Sequence, residues 1–304
     1  MLGVAQRRHL TGGGRLDGVD ARPQLRDHVR MLARDVAALV RVGGEIVELV
    51  RKLGGVRRGD ALPACTPPPG AAVKSYPVVE RYRWIWVWMG DPGLADPSLI
   101  PDWWWMDHPD WSFIKGTFLH IQCNYELITD NLLDLSHLGF VHSRTIGTGA
   151  IADFPVRTER LPDRVRMTRW IVDRPPPPTF KAGGGFEGNV DRWQVVETTV
   201  PAYTVIYAGC APAGSGATER DPHLRVPGGI NIRNVNAPTP ETETSTFYFY
   251  GHARDFRTND ADWAGNMFAD FMATFFEDVV VLEPQQKSMS LDPAASTVDL
   301  NVDA

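Results

Sequence analysis

Asn124–Gly147 reads NYELITDNLLDLSHLGFVHSRTIG, a helical pattern set among segments that mostly alternate like strands. Asp130, Asp134 and His137 fall at i, i+4 and i+7, so a helix over Tyr125–His137 carries all three on one face. His142 follows five residues after His137, a step that turns a helical side chain well away from its predecessor. Gly139 lies between them and can bend or end the helix, which lets both imidazoles converge on one point. Imidazoles suit iron, zinc or copper, and an acid one turn away can fix a ring tautomer from outside the metal. Two histidines at this spacing also arise by chance, so the pair alone does not establish a metal site.

A second long helical pattern, Asp260–Glu283, supplies the missing element. Its apolar stripe runs Met267, Phe271, Phe275 and Leu282, and the stripe position between the last two is Asp278. A carboxylate on the core face of a helix is costly unless it is paired or binds a metal. Glu277 is rotated about 100° from it and reads as a flank residue. Alone, Asp278 reads as the partner of a buried arginine or backbone amide. Taken with His137 and His142 it completes a two-histidine, one-carboxylate triad, the set diagnostic of non-haem iron(II) oxygenases.

Around the two helices lie strand-like runs: Arg83–Met89, Phe113–Gln122, Val165–Val172, Arg192–Val200, Thr204–Gly209, Gly229–Val235 and Thr244–Tyr250. Pro, Gly and Asp clusters separate them, so the expected class is α+β, an antiparallel sheet curled over a long C-terminal helix. The Pro175–Pro178 and Gly183–Gly185 runs bracket an irregular loop, a candidate pocket lid. Trp103–Trp105, Phe180 and His252 read as aromatic surface or core.

The first 75 residues follow other rules. They contain no Phe, Tyr or Trp, while Leu25, Val29, Leu32, Val36, Leu39 and Val40 suggest an amphipathic helix broken at Gly43–Gly44. CTPPPGAAVKS, residues 65–75, is a Pro/Gly linker. The net charge of −6 disfavours nucleic-acid or anionic-membrane partners. Cys65, Cys123 and Cys210 are too few and too scattered for a disulfide framework, which fits a reducing cytosol. The start lacks the apolar core of a signal peptide, and Arg41, Glu45 and Glu48 interrupt the most apolar early stretch. The expectation is a cytoplasmic protein without a membrane span.

Asp130-x3-Asp134-x2-His137-x4-His142 resembles the mononuclear-iron motif of Rieske oxygenases. VKSYPVVERYRWIWVWMGDP and FFEDVVVLEPQQ are similar to the branch that contains the vanillate and dicamba O-demethylase oxygenases. The resemblance runs from about Val73 to the C-terminus. It implies a helix-grip catalytic domain with mononuclear Fe(II) on His137, His142 and Asp278. It also implies that Asp134 hydrogen-bonds His137 and links the iron to a Rieske cluster in the neighbouring subunit of a trimer. A Rieske [2Fe–2S] centre takes two Cys and two His, yet Cys65 is followed by Thr-Pro-Pro, and His9 and His28 have no cysteine partners. Residues 1–64 therefore read as a segment replacing the Rieske domain, preferably from a frame-shifted or rearranged gene and otherwise a genuine helical replacement. Residues 65–110 read as linker and remnant strand region, and 111–304 as the mononuclear-iron catalytic domain.

The function that follows is O2-dependent hydroxylation or O-demethylation of a small aromatic, with electrons from a reductase or ferredoxin. With the cluster ligands absent, such a chain needs an intact Rieske subunit, or is inactive as isolated. A helix-grip small-molecule binding protein without activity is the alternative, and a zinc hydrolase the third reading; the latter requires a general base beside the metal.

Overall fold

The computed structural model describes residues 76–114, 116–142, 146, 151, 153–217 and 225–294. The expected N-terminal helix, the 65–75 linker and the 1–64 segment lie outside them. The described residues fall into two compact units, one holding 80–84 and 98–294, the other 76–79 and 85–97. Strands β1 (Val78–Arg81) and β2 (Trp84–Val87) form a two-stranded sheet. In the smaller unit Trp88 donates its backbone N–H to the Pro77 carbonyl at 3.0 Å. Its indole N–H goes to the Asp91 carbonyl at 2.8 Å.

The larger unit is built on an eight-stranded sheet. β3 (Ser112–Ile114) and β4 (Phe118–Ile121) lie in succession along one edge of β10 (Ser245–Arg254). From β10 the order continues through β9 (Ile230–Thr242), β8 (Tyr203–Pro212), β7 (Val190–Thr199) and β6 (Arg164–Arg174) to β5 (Val156–Arg160), every pairing antiparallel. The single run expected over Phe113–Gln122 is thus two strands. Between them Gly116 passes so close to β10 that a Cβ there would sit 1.5 Å from the Tyr250 carbonyl oxygen. Only glycine permits that approach.

Four helices are described: α1 (Tyr125–Leu133), α2 (Leu138–Val141), α3 (Pro178–Gly184) and α4 (Ala261–Leu291). Asn124 caps α1, its Oδ1 accepting the Glu126 N–H at 2.8 Å, a contact contributing about 1 kcal/mol. The helix does not reach His137 as the periodicity predicts. Asp134 turns extended (φ −74°, ψ 97°), and its carboxylate accepts the Ser136 N–H at 2.7 Å in competition with the helical ladder. The loop expected at Pro175–Gly185 contains α3, which ends at Gly185 in the left-handed conformation (φ +67°).

α4 runs 31 residues and continues past Glu283, through Pro284, to Leu291. Pro284 cannot donate to the Val280 carbonyl, but Val280 is 73% exposed, so water can serve that acceptor. Its buried stripe is Met267, Phe275, Asp278 and Leu282, joined by Met272 and Thr274. One apolar cluster joins this stripe to Leu127, Ile128 and Leu132 of α1 and to Tyr248 and Tyr250 of β10. Leu282 is 1% exposed, a burial contributing about 2 kcal/mol. Near the end of α4, Glu283 and Gln286 accept the backbone N–H groups of Gln122 and Asn124 at 3.0 and 2.8 Å, tying it to the start of α1.

Arg233 on β9 is 2% exposed, its guanidinium 4.6–4.9 Å from the ring centres of Trp105, Trp111 and Tyr207. Trp103 and Trp105 are each 1% exposed, whereas Trp104 between them is exposed. No helix among the described residues is long and apolar enough to cross a membrane.

Candidate metal centre

The break at Asp134 decides where the histidines go. α2 is a single turn flanked by the two rings, His137 at its N-cap and His142 at its C-cap. Gly139 lies inside that turn, so the convergence comes from the break before His137 and not from a bend at Gly139. Arg169 on β6 fixes the break, donating from Nη1 to the Leu135 carbonyl at 2.9 Å.

His137, His142 and Asp278 offer ligand atoms that all lie within 4.8 Å of one another. The two Nε2 atoms are 3.1 Å apart, and Asp278 Oδ1 lies 3.1 Å from His142 Nε2 and 3.7 Å from His137 Nε2. All three residues are buried, none more than 8% exposed. Glu277, expected as a flank residue, meets His142 instead: its Oε2 accepts from Nδ1 at 2.9 Å. That bond places the proton on Nδ1 and turns the Nε2 lone pair toward the triad. Asn131 on α1 donates to Asp278 Oδ1 at 3.1 Å and orients the carboxylate. Asp134 approaches the outer nitrogen of His137 at 3.6 Å, close enough for electrostatic attraction but long for a formed hydrogen bond.

Electrostatics follow this geometry. Burial opposes charge on His142, but hydrogen bonds and negative charge from Asp278 and Glu277 outweigh it and raise its pKa. Burial likewise opposes ionisation of Asp134, yet His137 and Ser136 hold the carboxyl down to about 2. Two imidazoles and a carboxylate converging through their inner atoms, with the outer nitrogen of His142 held by Glu277, fit a divalent transition metal with coordination positions to spare.

The triad opens into a cavity of about 350 Å³. Phe180 of α3 and Phe271, Phe275 and Met267 of α4 supply apolar wall, while Arg192, Gln194 and Asn234 come from the sheet. The Pro177–Phe180 segment borders the cavity as a lid would. His252, read from sequence as surface or core, is fully buried, stacks on Phe271 at 4.1 Å and donates Nδ1–H to Asn234 Oδ1 at 2.7 Å. Burial pushes its pKa down to about 3. Sequence reasoning missed Glu277, Asn131 and Arg192. Asn131 had a legible signal, since it precedes Asp134 by three residues and shares the helix with Asp130.

A sheet gripping a long C-terminal helix, with a His/His/carboxylate cluster in its cavity, defines the class of mononuclear-metal oxygenase domains. The comparisons narrow it. The C-terminal domain of vanillate O-demethylase oxygenase matches residues 121–304. The iron-sulfur subunit of the toluene-4-sulfonate monooxygenase system of Comamonas testosteroni is 38% identical over 240 residues, covering 78% of this chain and 68% of that one. The vanillate O-demethylase oxygenase subunit of a Pseudomonas species is 36% identical over 252 residues, covering 81% and 75%. Dicamba monooxygenase bound to 3,6-dichlorosalicylic acid superimposes with a TM-score of 0.69 at 29% identity, over 78% of this chain and 68% of that one. The chain belongs to the vanillate O-demethylase oxygenase family of Rieske non-haem iron oxygenase components, an oxidoreductase family.

Proposed function

We propose that residues 111–304 form a mononuclear-iron catalytic domain that hydroxylates a small aromatic with O2, at a methoxy or methyl carbon, and that His137, His142 and Asp278 hold the Fe(II). The observation that carries this reading is the convergence of three buried ligand atoms within 4.8 Å at the wall of an apolar cavity. Iron bound there supplies the activation of dioxygen. The protein does the rest. Glu277 holds the His142 ring by its outer nitrogen, Asn131 holds Asp278, and the aromatic walls seat the substrate ring and keep water out. Hydroxylation of a methoxy carbon gives a hemiacetal that releases formaldehyde and leaves a phenol.

Asp134, with 20% of its side chain exposed, stands on the outer side of His137, where an electron donor can approach. In this reading electrons come from a reductase or ferredoxin through the Rieske cluster of a neighbouring subunit, in a trimer of like chains or beside an intact Rieske subunit. The zinc-hydrolase reading is disfavoured by the same placement, because Asp134 addresses the outer nitrogen and not the inner face where a metal-bound water would sit.

The test is anaerobic reconstitution with Fe(II) followed by metal analysis and turnover of vanillate. One iron per chain, lost in His142→Ala, is expected. Formaldehyde should appear when reductase and an intact Rieske subunit are added together, and not with reductase alone. Absence of iron uptake supports the binding-protein alternative, and preferential zinc uptake with hydrolysis supports the third.

A further inference from the structure

Strand β6 holds the break between α1 and α2 at two points. Met167 joins Leu135, Leu138 and Val196 in one apolar cluster. Two residues along, on the same face of the strand, Arg169 donates from Nη1 to the Leu135 carbonyl at 2.9 Å. Leu135 stands between two groups that matter for electron entry. On one side is Asp134, whose carboxylate accepts the Ser136 N–H at 2.7 Å and faces His137 Nδ1 at 3.6 Å. On the other is the single turn that His137 caps. Pinning the carbonyl between them fixes the direction in which the Asp134 carboxylate points.

Arg169 also brings charge. It is 4% exposed, and its register partners on the flanking strands, Val156 and Gln194, are neutral. Burial lowers the guanidinium pKa, and the nearby Asp134 carboxylate works against that shift. A guanidinium keeps its proton in such a setting. Three carboxylates surround the two imidazoles: Asp278 on the inner side, Glu277 at the outer nitrogen of His142 and Asp134 at that of His137. Negative charge favours the ferric over the ferrous state of an iron held there, and a fixed cation beside Asp134 opposes that bias. Arg169 is not part of the cavity lining, so it can influence the metal without touching a substrate.

We infer that Arg169 is a positioning residue for electron delivery: its hydrogen bond to Leu135 aims Asp134 at His137, and its charge offsets that carboxylate and keeps the iron reducible. This deepens the oxygenase reading and rests on it for the presence of iron. The step concerned is the passage of one electron from a Rieske-type donor to ferric iron, giving ferrous iron, with no bond broken and no proton moved at Asp134. Geometry and charge come from one side chain, so substitutions that keep one and remove the other separate them.

The experiment compares the full chain, loaded anaerobically with Fe(II), with Arg169→Lys, Arg169→Gln and Arg169→Met. It reads iron per chain, the Fe(III)/Fe(II) midpoint by mediated redox titration, and hydrogen exchange of peptides spanning 130–142 in the metal-free protein. Lysine keeps the charge and a donor, and should hold the midpoint near that of the unaltered chain. Glutamine keeps a donor without the charge. It should bind iron normally and move the Fe(III)/Fe(II) ratio at fixed potential about tenfold toward ferric, about 59 mV for a one-electron couple. Methionine removes both, and should add faster exchange over 134–137 because the Leu135 carbonyl loses its donor. A purely structural role would speed exchange without moving the midpoint. An unmoved midpoint in Arg169→Gln, loss of its iron, an equal shift in Arg169→Lys, or unchanged exchange in a folded Arg169→Met overturns the inference. Should the methionine variant fail to fold, the lysine and glutamine pair still decides. Failure of the oxygenase reading looks different. An unaltered chain that takes up no iron removes both, whereas an iron-loaded chain with an unmoved midpoint removes only the role of Arg169.

Discussion

Replacing His252 by Phe tests how the cavity wall is held, and the effect can be worked out before the measurement. The imidazole is fully buried, stacked 4.1 Å from Phe271, with Nδ1–H spent on Asn234 and Nε2 facing no partner among the described residues. A second proton would create an N–H cation with no acceptor, which is why burial lowers the pKa from 6.5 to about 3. The folded pKa lies below the unfolded one, so on acidification the unfolded chain takes up the proton first and stability falls as pH falls through that window. Each pH unit is worth about 1.4 kcal/mol, so between neutral pH and pH 5 this one ring costs the folded state about 2 kcal/mol. His252→Phe keeps the stacking but leaves Asn234 Oδ1 without its donor, a loss of about 1–3 kcal/mol at pH 7.5. Urea unfolding of the metal-free chain and the variant at pH 7.5, 6.5, 5.5 and 5.0 gives both curves, and their difference cancels the titration of His137, His142 and the carboxylates. The variant should start less stable, and the gap should narrow by about 2 kcal/mol by pH 5. Parallel curves would show that His252 protonates as easily folded as unfolded, and the account of its environment would fail.

Three other outcomes are expected. Glu277→Ala should weaken iron binding about 10- to 100-fold, measured by competition with a chelator, because His142 loses the acceptor that fixes its tautomer; unchanged affinity would make Glu277 a bystander. Asp134→Asn should leave iron content unchanged and slow turnover supported by reductase and Rieske subunit, since Asp134 addresses the outer nitrogen of His137; loss of iron would reassign it as a ligand. Gly116→Ala should lower stability by about 3 kcal/mol or more in urea unfolding, because the added methyl meets the Tyr250 carbonyl; a silent substitution would mean the strand edge gives way easily.

Much of the larger unit was legible because its signals are local. Alternation in Thr204–Gly209 and Thr244–Tyr250, and the stripe Met267–Phe271–Phe275–Leu282, each follow one period and match β8, β10 and α4. The end of α1 was not legible, because Asp134 is spaced as a helical residue while its carboxylate binds Ser136 and ends the helix. Glu277 is not legible as a site residue because about 100° of rotation from Asp278 carries it off the core stripe, whereas His142 reaches the side of α4 where Glu277 stands. Arg192 was hidden for a different reason. β7 is buried on both faces from Val190 to Glu197, so alternation within it says nothing about which face holds the cavity.

The cage around Arg233 has a consequence for how the chain meets a protease. Residues 98–111 contain only two short 3-10 turns, and a stretch so irregular would ordinarily be the first cut in limited digestion. Here Trp103, Trp105 and Met106 are each 1% exposed, and Trp105 and Trp111 close on the Arg233 guanidinium. Threading this segment through a protease cleft means pulling indole rings off a buried cation and opening the sheet face beneath. Its backbone amides should exchange with solvent at the pace of β9 and not at the pace of a loop, and cleavage within 103–111 should be seen only when the sheet itself unfolds.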